Sequence, residues 1–483
     1  MRLFTLASFI FAFVTSALHA VEPVTVSSLA DLARVAAADN QSVRMTPGVY
    51  PLTDYLTPAV LADIAAKVDR KQSRPPVPMF TFIGNGNRFD LSGVVFEIDT
   101  ALYAKLPGRS YIRCIIIAGN NNTFTGLNIR QVGAQRGSGG NTLSIAGTGN
   151  TVENFTLNVH GSYPYGYGDL FGKGGPNLLG IQKQSGIQIL GNNTLVRRTR
   201  VISRAFGHCF YIQVGGDIRL EDCYAEGSVR STTEMLRDTS GPAFDLGFKS
   251  VYANRDGRYM ITPGYMKSLS EDGFRTYGGA GRVTLVNCTA INTRAGFEIG
   301  ARDDATVKTE IIGGNALGCE RGYLIGSHTV VRDSRGDISH GPLLYLRGGL
   351  DSDVELELTG DGPAPGAMVH AIATIAGQNH RVRLTRQAHE KPAPALPILF
   401  GFGMPEHAEM SSAILPAPTS NVTLINTLAS VPVITSDTLK DTKLETAGRE
   451  FTDAALRASP GSWGLPKSGI SPGAPKPVAP PAP

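Results

Sequence analysis

No uninterrupted apolar stretch in this 483-residue chain reaches the roughly 18 residues that a membrane-spanning helix needs. Charge of one sign is also scarce. Lys and Arg number 45 against 41 Asp and Glu, a surplus too small to point to nucleic acid as a partner. The cysteines, Cys114, Cys209, Cys223, Cys288 and Cys319, form no CxxC and no Cys/His spacing suited to a structural metal. Being five, they leave at least one thiol unpaired in a monomer, and stacked small buried side chains are the expected reading at Cys223 and Cys288. Only 18% of residues are charged while 42% are hydrophobic, which excludes a disordered chain. Tryptophan occurs once. Abundance lies in 56 Gly and 30 Pro, the composition of a chain that turns often and builds few long helices.

The amino terminus has one positive charge at Arg2, a short apolar run over 3–14 and small residues up to Ala20, the layout of a secretory signal peptide over 1–20. A secreted or periplasmic chain is expected, with the mature protein starting near Val21. From 460 to 483 prolines dominate and large apolar residues are few, so a disordered tail is expected there, after an extension over 431–459 where the internal pattern fades.

Between these ends the sequence repeats. Asn-Thr-Phe-Thr-Gly-Leu (122–127), Asn-Thr-Val-Glu-Asn-Phe (150–155), Thr-Leu-Val-Arg-Arg-Thr (194–199), Ile-Arg-Leu-Glu-Asp-Cys (218–223) and Val-Thr-Leu-Val-Asn-Cys (283–288) open a series. It continues at 307–312, 329–334, 354–359, 380–385 and 422–427. The steps are 28, 44, 24, 65, 24, 22, 25, 26 and 42 residues, so most windings take 22–28 and three carry an insertion or an additional turn. A second ladder begins at Asn141, Ser185, His208, Asp272, Ala295 and Arg321, each segment with apolar residues at alternate positions as a half-buried strand requires. Short strands recurring every two dozen residues mean a coil laying each winding on the last, which is a parallel β-helix. Leucine-rich repeats need a Leu consensus, and propeller blades need about 40 residues with four antiparallel strands; neither pattern is present.

Ser28-Leu-Ala-Asp-Leu-Ala-Arg-Val predicts a capping helix over 28–39, followed by Ser42-Val-Arg-Met-Thr-Pro-Gly-Val-Tyr. Thr57-Pro-Ala-Val-Leu predicts a helical excursion over 57–71, with Thr57 as N-cap. On the repeat period and this helix-then-Pro-Gly-x-Tyr opening, the chain resembles the pectin-lyase-like superfamily of secreted right-handed β-helix proteins. The resemblance covers the architecture from about 25 to 430 and carries no catalytic signature. It implies an all-β fold: one right-handed parallel β-helix over 21–430 with loop insertions at 160–184 and 228–267.

Placing Phe210, Ile212, Phe274, Thr276, Phe297 and Ile299 inward turns Gln188, Tyr211, Arg275 and Glu298 outward in one row, with Gln213 and Tyr277 in the next and His208 and Asp272 at the bend before it. Imidazole, phenol, guanidinium and carboxylate thus gather on one face, while later rungs offer Leu324, Gly326, Leu344 and Leu346. An Arg275–Glu298 cross-strand ion pair is the structural alternative. The first insertion carries Tyr163, Tyr165 and Tyr167, flat rings suited to stacking on sugars. The second carries Arg230, Arg237, Lys249, Arg255, Arg258 and Lys267.

The resemblance implies β-elimination on a uronic-acid polysaccharide as the first reading. That reaction needs a cation for the sugar carboxylate, a base for the proton beside it and an acid for the leaving oxygen. Arg275, Arg302 or a loop cation fits the first role, His208 or Tyr211 the second, Tyr277 or Tyr211 the third; Gln188, Gln213, Lys249, Lys267, Asp272 and Arg302 join the tyrosines as substrate-binding candidates. A glycoside hydrolase using Asp272 and Glu298 is the alternative, but the Asp-Asp pairs of β-helix galacturonases and the Asp-Pro-His-Asp of alginate epimerases are missing. A non-catalytic glycan-binding module is the third reading. No cofactor is predicted, and calcium has only Asp272 and Glu298 to recommend it. The expected partner is an acidic polysaccharide or oligosaccharide.

Overall fold

The computed structural model describes residues 22–452, apart from 70, 72–74, 107–110, 135–138, 174–176, 255–256, 387–395 and 404–414. The expected leader, Arg255 and the expected tail lie outside the described residues.

The chain winds as a parallel β-helix. Strands of the first ladder stack in register, Thr151–Glu153 on Thr123–Thr125 and Leu195–Arg197 on Thr151–Glu153, and so on to Lys443–Thr446 on Thr423–Asn426. The second ladder forms a separate parallel sheet that includes Gly140–Ile145, Gln184–Ile189, Phe210–Gly215, Phe274–Ala280, Ala295–Ile299 and Arg321–Ile325. Inside, the inward residues stack like with like. Phe210, Phe274, Phe297 and Tyr323 lie nearly parallel with centroids 4.9, 5.1 and 5.0 Å apart. Polar groups at one corner do the same: Asn87 N–H donates to Asn122 Oδ1 at 2.8 Å, and Asn122 N–H to Asn150 Oδ1 at 2.9 Å. All three asparagines are buried, so each rung satisfies the donor of its neighbour.

Two strand columns were legible in the sequence; the coil has three. In the five opening segments of the first ladder, the fifth residue is Gly126, Asn154, Arg198, Asp222 or Asn287, and each has φ between 48° and 85°. Gly, Asn and Asp tolerate that left-handed conformation, which turns the backbone within one residue. The sixth residue (Leu127, Phe155, Thr199, Cys223, Cys288) is buried, and a third column follows with Asn128–Val132, Thr156–Val159, Arg200–Ser203, Tyr224–Glu226 and Thr289–Ile291. Each of the last three strands is only three or four residues long, too short to print an alternation on the sequence.

Helix Leu29–Val35, capped by Ser28 accepting from Asp31 N–H, buries Leu29, Leu32 and Val35 against the first coil. Helix Pro58–Lys67 is capped by Thr57. At the other end the expectation of a break near 430 is corrected: Val433–Thr435 pairs with Ile398–Phe400, and Glu450–Thr452 pairs with Val433–Thr435. Hydrophobic spacing weakens there because these strands are short, yet the windings continue. The long steps are single windings. Ile218–Glu221 pairs directly with Val283–Val286, so 228–267 adds no rung; it folds out as an antiparallel pair, Val229–Ser231 with Met266–Ser268, and two helical turns, Thr232–Met235 and Pro242–Asp245. All five cysteines are buried free thiols.

Phe274 sits in the middle of the aromatic stack and is fully buried. Phe274→Ala is expected to cost about 3–5 kcal/mol of unfolding free energy in a denaturant titration. A loss under 1 kcal/mol would show that the stack closes over the gap.

Candidate active site

Register places the outward row as one line: Gln188 opposite Tyr211, Tyr211 opposite Arg275, Arg275 opposite Glu298. His208 and Asp272 precede the paired Phe210 and Phe274 by two residues on adjacent rungs. Their side chains meet, with His208 Nδ1 3.1 Å from Asp272 Oδ2, and His208 Nε2 is 2.8 Å from the Tyr277 hydroxyl. Arg275 Nη1 donates to Asp272 Oδ2 at 2.9 Å and to Glu298 Oε2 at 2.6 Å, and its guanidinium lies 4.5 Å from the Tyr277 ring centroid. Five of the sequence candidates, His208, Asp272, Arg275, Tyr277 and Glu298, therefore form one contact network.

The network continues inward through residues that sequence reasoning missed. Arg294, fully enclosed, grips both oxygens of Asp272 at 3.0 and 3.2 Å through Nη2 and approaches Glu271 Oε1 at 3.4 Å. Glu271 also accepts from Lys183 Nζ at 2.7 Å, and its Oε2 lies 3.4 Å from His208 Nε2. The signal was present one position earlier than the ladder was read: Gln184, Gly207, Glu271, Arg294 and Glu320 each immediately precede a quoted segment. Over the last three the sign alternates from rung to rung, negative, positive, negative. Charges removed from water need partners at this range, because desolvation costs several kcal/mol per ion.

These partners set the ionisation states. Burial raises Asp272, but Arg294, the His208 hydrogen bond and Arg275 outweigh it and hold the carboxyl well below its ordinary range. Glu271 is likewise pushed up by burial and pulled down to about 2 by His208, Lys183 and Arg294. Glu298 goes the other way, raised by burial and by the neighbouring Asp272 charge. Burial pushes the Tyr277 phenol to about 12, against the pull of Arg275. With Asp272 ionised, its short contact favours the proton on Nδ1 of His208. The Asp272 backbone N–H, which points at the same nitrogen from 3.4 Å, is the weaker contact. That assignment leaves Nε2 to accept from Tyr277.

Several candidates take other positions. Tyr211 is 3% exposed and its hydroxyl is committed to Asn141 Oδ1 at 2.7 Å, with Tyr111 O–H 3.1 Å away; burial raises it well above the ordinary phenol, which corrects its expected role as base or acid. Gln188 is buried and accepts from Asn141 Nδ2 at 2.7 Å and Ser144 Oγ at 3.1 Å. Asp272 is fully buried, so it holds His208 and Arg275 instead of touching substrate. Lys267 is fully buried too, paired with Asp169 at 3.1 Å and Glu320 at 2.6 Å, a structural cation and not a substrate contact. Tyr167 donates to Asp238 Oδ2 at 2.8 Å inside a small core with Leu170, Phe171, Met235, Ile261 and Tyr265, and Tyr165 packs on the same core. The two insertions thus pack Tyr167 into a shared core and partly bury Tyr165 against it, where a loop-displayed stacking face was expected. Tyr163 bridges to Gln182. Gln213, Lys249 and Arg302 are exposed; Gln213 stands where the register shifts between Ile212 and Val214, and Arg302 pairs with Asp304 at 2.8 Å.

Among the described residues, no group of three or more His, Cys, Asp or Glu side chains is arranged to hold a metal ion, and no helix is long and apolar enough to cross a membrane. No protein-family model matches the sequence, and no curated protein matches it. Solved structures that resemble the chain include a rhamnogalacturonan lyase (12% identity, TM-score 0.41, covering 68% of this chain and 76% of that one). A PL6 alginate lyase in complex with a trisaccharide gives 11% identity and a TM-score of 0.43 over 90% of this chain and 86% of its own. The catalytic domain of a GH87 α-1,3-glucanase in complex with nigerose gives 10% and 0.38 over 89% and 67%.

The depressed carboxyls tie stability to pH. Asp272 and Glu271 have folded pKa values below their unfolded ones, so their contribution is complete above about pH 4–5 and is lost as pH falls through the folded values. Acid titration is expected to show cooperative loss of structure between about pH 4 and 2, and Glu271→Gln with Asp272→Asn to flatten that dependence. An unchanged acid profile in the double variant would contradict this account.

Proposed function

We propose that the protein is a carbohydrate-active enzyme that cleaves a uronate-containing polysaccharide by β-elimination on this face of the coil. The observation that carries the reading is the chain Asp272–His208–Tyr277 beside the partly accessible Arg275. Arg275 has 20% of its side chain exposed beside its ion pairs with Asp272 and Glu298, and that open part offers charge to a sugar carboxylate. Neutralising that carboxylate acidifies the adjacent C–H. The Tyr277 oxygen takes this proton as its own passes to His208 Nε2, and Asp272 stabilises the imidazolium that results. The electrons of the C–H bond become the new C=C bond as the β C–O bond breaks. The proton held by His208 then returns through Tyr277 to the leaving oxygen. A phenol that stays protonated to about 12 suits the donor half of this cycle.

Hydrolysis by Asp272 and Glu298 fits less well. Both carboxyls converge on Arg275 Nη1, and Asp272 is enclosed by Arg294 and His208, which leaves no room for a glycosidic bond between them. With residues 1–20 read as a secretory leader, the substrate belongs to the periplasm or the exterior.

On a panel of polyuronates and neutral glycans, ultraviolet absorbance of an unsaturated product is expected with polyuronates alone. Tyr277→Phe and His208→Ala are each expected to lower kcat/KM by about 10²–10⁴-fold, Tyr277→Phe at unchanged melting temperature and His208→Ala at a lower one, because it strips Asp272 and Glu271 of a partner. Full activity in both variants would move the site to another face. New reducing ends without absorbance would indicate hydrolysis, and tight binding without either product would leave a binding module.

A further inference from the structure

The polar strip does not stop at His208. Three rungs earlier, Arg113 occupies the same outward line: it pairs in register with Asn141, Asn141 with Ser185, and Ser185 stands one winding before His208. Strand Tyr111–Ile117 puts Ile112, Cys114, Ile115 and Ile117 in the core and leaves Tyr111 and Arg113 half-buried on the outside. At about 4.8 Å per rung, Arg113 lies on the order of 14 Å from His208 along the coil axis.

Arg113 differs from the arginines that stand in ion pairs. Arg44, Arg130, Arg197, Arg219, Arg282 and Arg294 each pair with a carboxylate. Among the described residues no carboxylate pairs with Arg113, and its Nε is buried without a hydrogen-bond partner. A partly desolvated guanidinium without a counter-charge is unfavourable unless an anion completes it. The surface between Arg113 and the centre is also prepared. Tyr111 O–H and Tyr211 O–H both reach Asn141 Oδ1, at 2.9 and 2.7 Å, and lie 3.1 Å from each other. Hydroxyls that meet from strands three rungs apart require both rings to lie along the axis; Tyr211 is buried and Tyr111 half-buried, so of the two the Tyr111 ring offers a face at the strip.

We infer that Arg113 is a distal subsite that binds a second carboxylate of the same polymer, roughly four sugar units from the one held at Arg275, four rungs away. This rests on the elimination reading for the substrate class and adds a requirement that reading lacks: the substrate is a polyanion recognised over several units, with its chain running from the His208 rung toward the amino-terminal rungs.

The test uses the full chain and uronate oligomers of two to six units from polygalacturonate and alginate, with neutral oligomers of equal length as control. For the wild type, affinity by calorimetry is expected to rise between trimer and hexamer. In Arg113→Ala that gain is expected to fall by about tenfold and to lose much of its salt dependence, while Arg113→Lys retains part of it. A length profile identical in wild type and Arg113→Ala, with cleavage intact, would overturn the distal subsite and leave the elimination reading standing. Failure of the wild type to bind any uronate oligomer would overturn both.

Discussion

Strand register is the constraint on which everything else here depends. Backbone hydrogen bonding between windings fixes neighbouring strands about 4.8 Å apart, so residues tens of positions distant become contacts with no freedom to choose others. His208 and Asp272 are separated by 64 residues and touch because Phe210 pairs with Phe274. The interior uses this constraint for stacked phenylalanines. The exterior uses it to bring guanidinium, carboxylate and imidazole within hydrogen-bond range, where their electrostatics are strong because water is largely excluded.

Such a cluster would be screened by water and loosely held on an open surface, and the two insertions change its surroundings. Asp169 of the first and Lys267 of the second are both enclosed, joined to each other and, through Glu320 and Arg294, to the coil. Their shared apolar core, with Tyr167, Phe171, Met235 and Tyr265, anchors the pair as one satellite unit. Removing one partner from an ion network of this kind leaves an uncompensated buried charge, which is why Arg294 and Asp272 hold a single arrangement. Asp272 in turn orients His208. The rigidity of the centre therefore comes from charges that do not touch solvent.

Much of this was readable in the chain. The period, the capping helix with Ser28, and the outward row of Gln188, Tyr211, Arg275 and Glu298 follow from alternation and spacing, since a strand period of two leaves little freedom in which side a residue faces. Four features were less legible. The third strand column has strands as short as three residues, below the length at which alternation shows. Windings beyond 430 were hidden for the same reason. Burial of Lys267 and Tyr167 was not legible because it arises between two insertions distant in sequence, whose packing no local pattern encodes. Glu271 and Arg294 lay one residue before the aligned segments, at bends where the reading of strand faces ended.

The centre thus combines a fixed carboxylate, an imidazole with an oriented lone pair, a phenol that keeps its proton and a partly open guanidinium. Those groups suit the roles that the proposed elimination next to a carboxylate demands. The most direct measurement is a crystal structure of the Tyr277→Phe variant soaked with a uronate tetramer. This account predicts a sugar carboxylate against Arg275, with the hydrogen beside it facing position 277. An oligomer ordered on a different face of the coil, or one whose carboxylates all avoid Arg275, would contradict it.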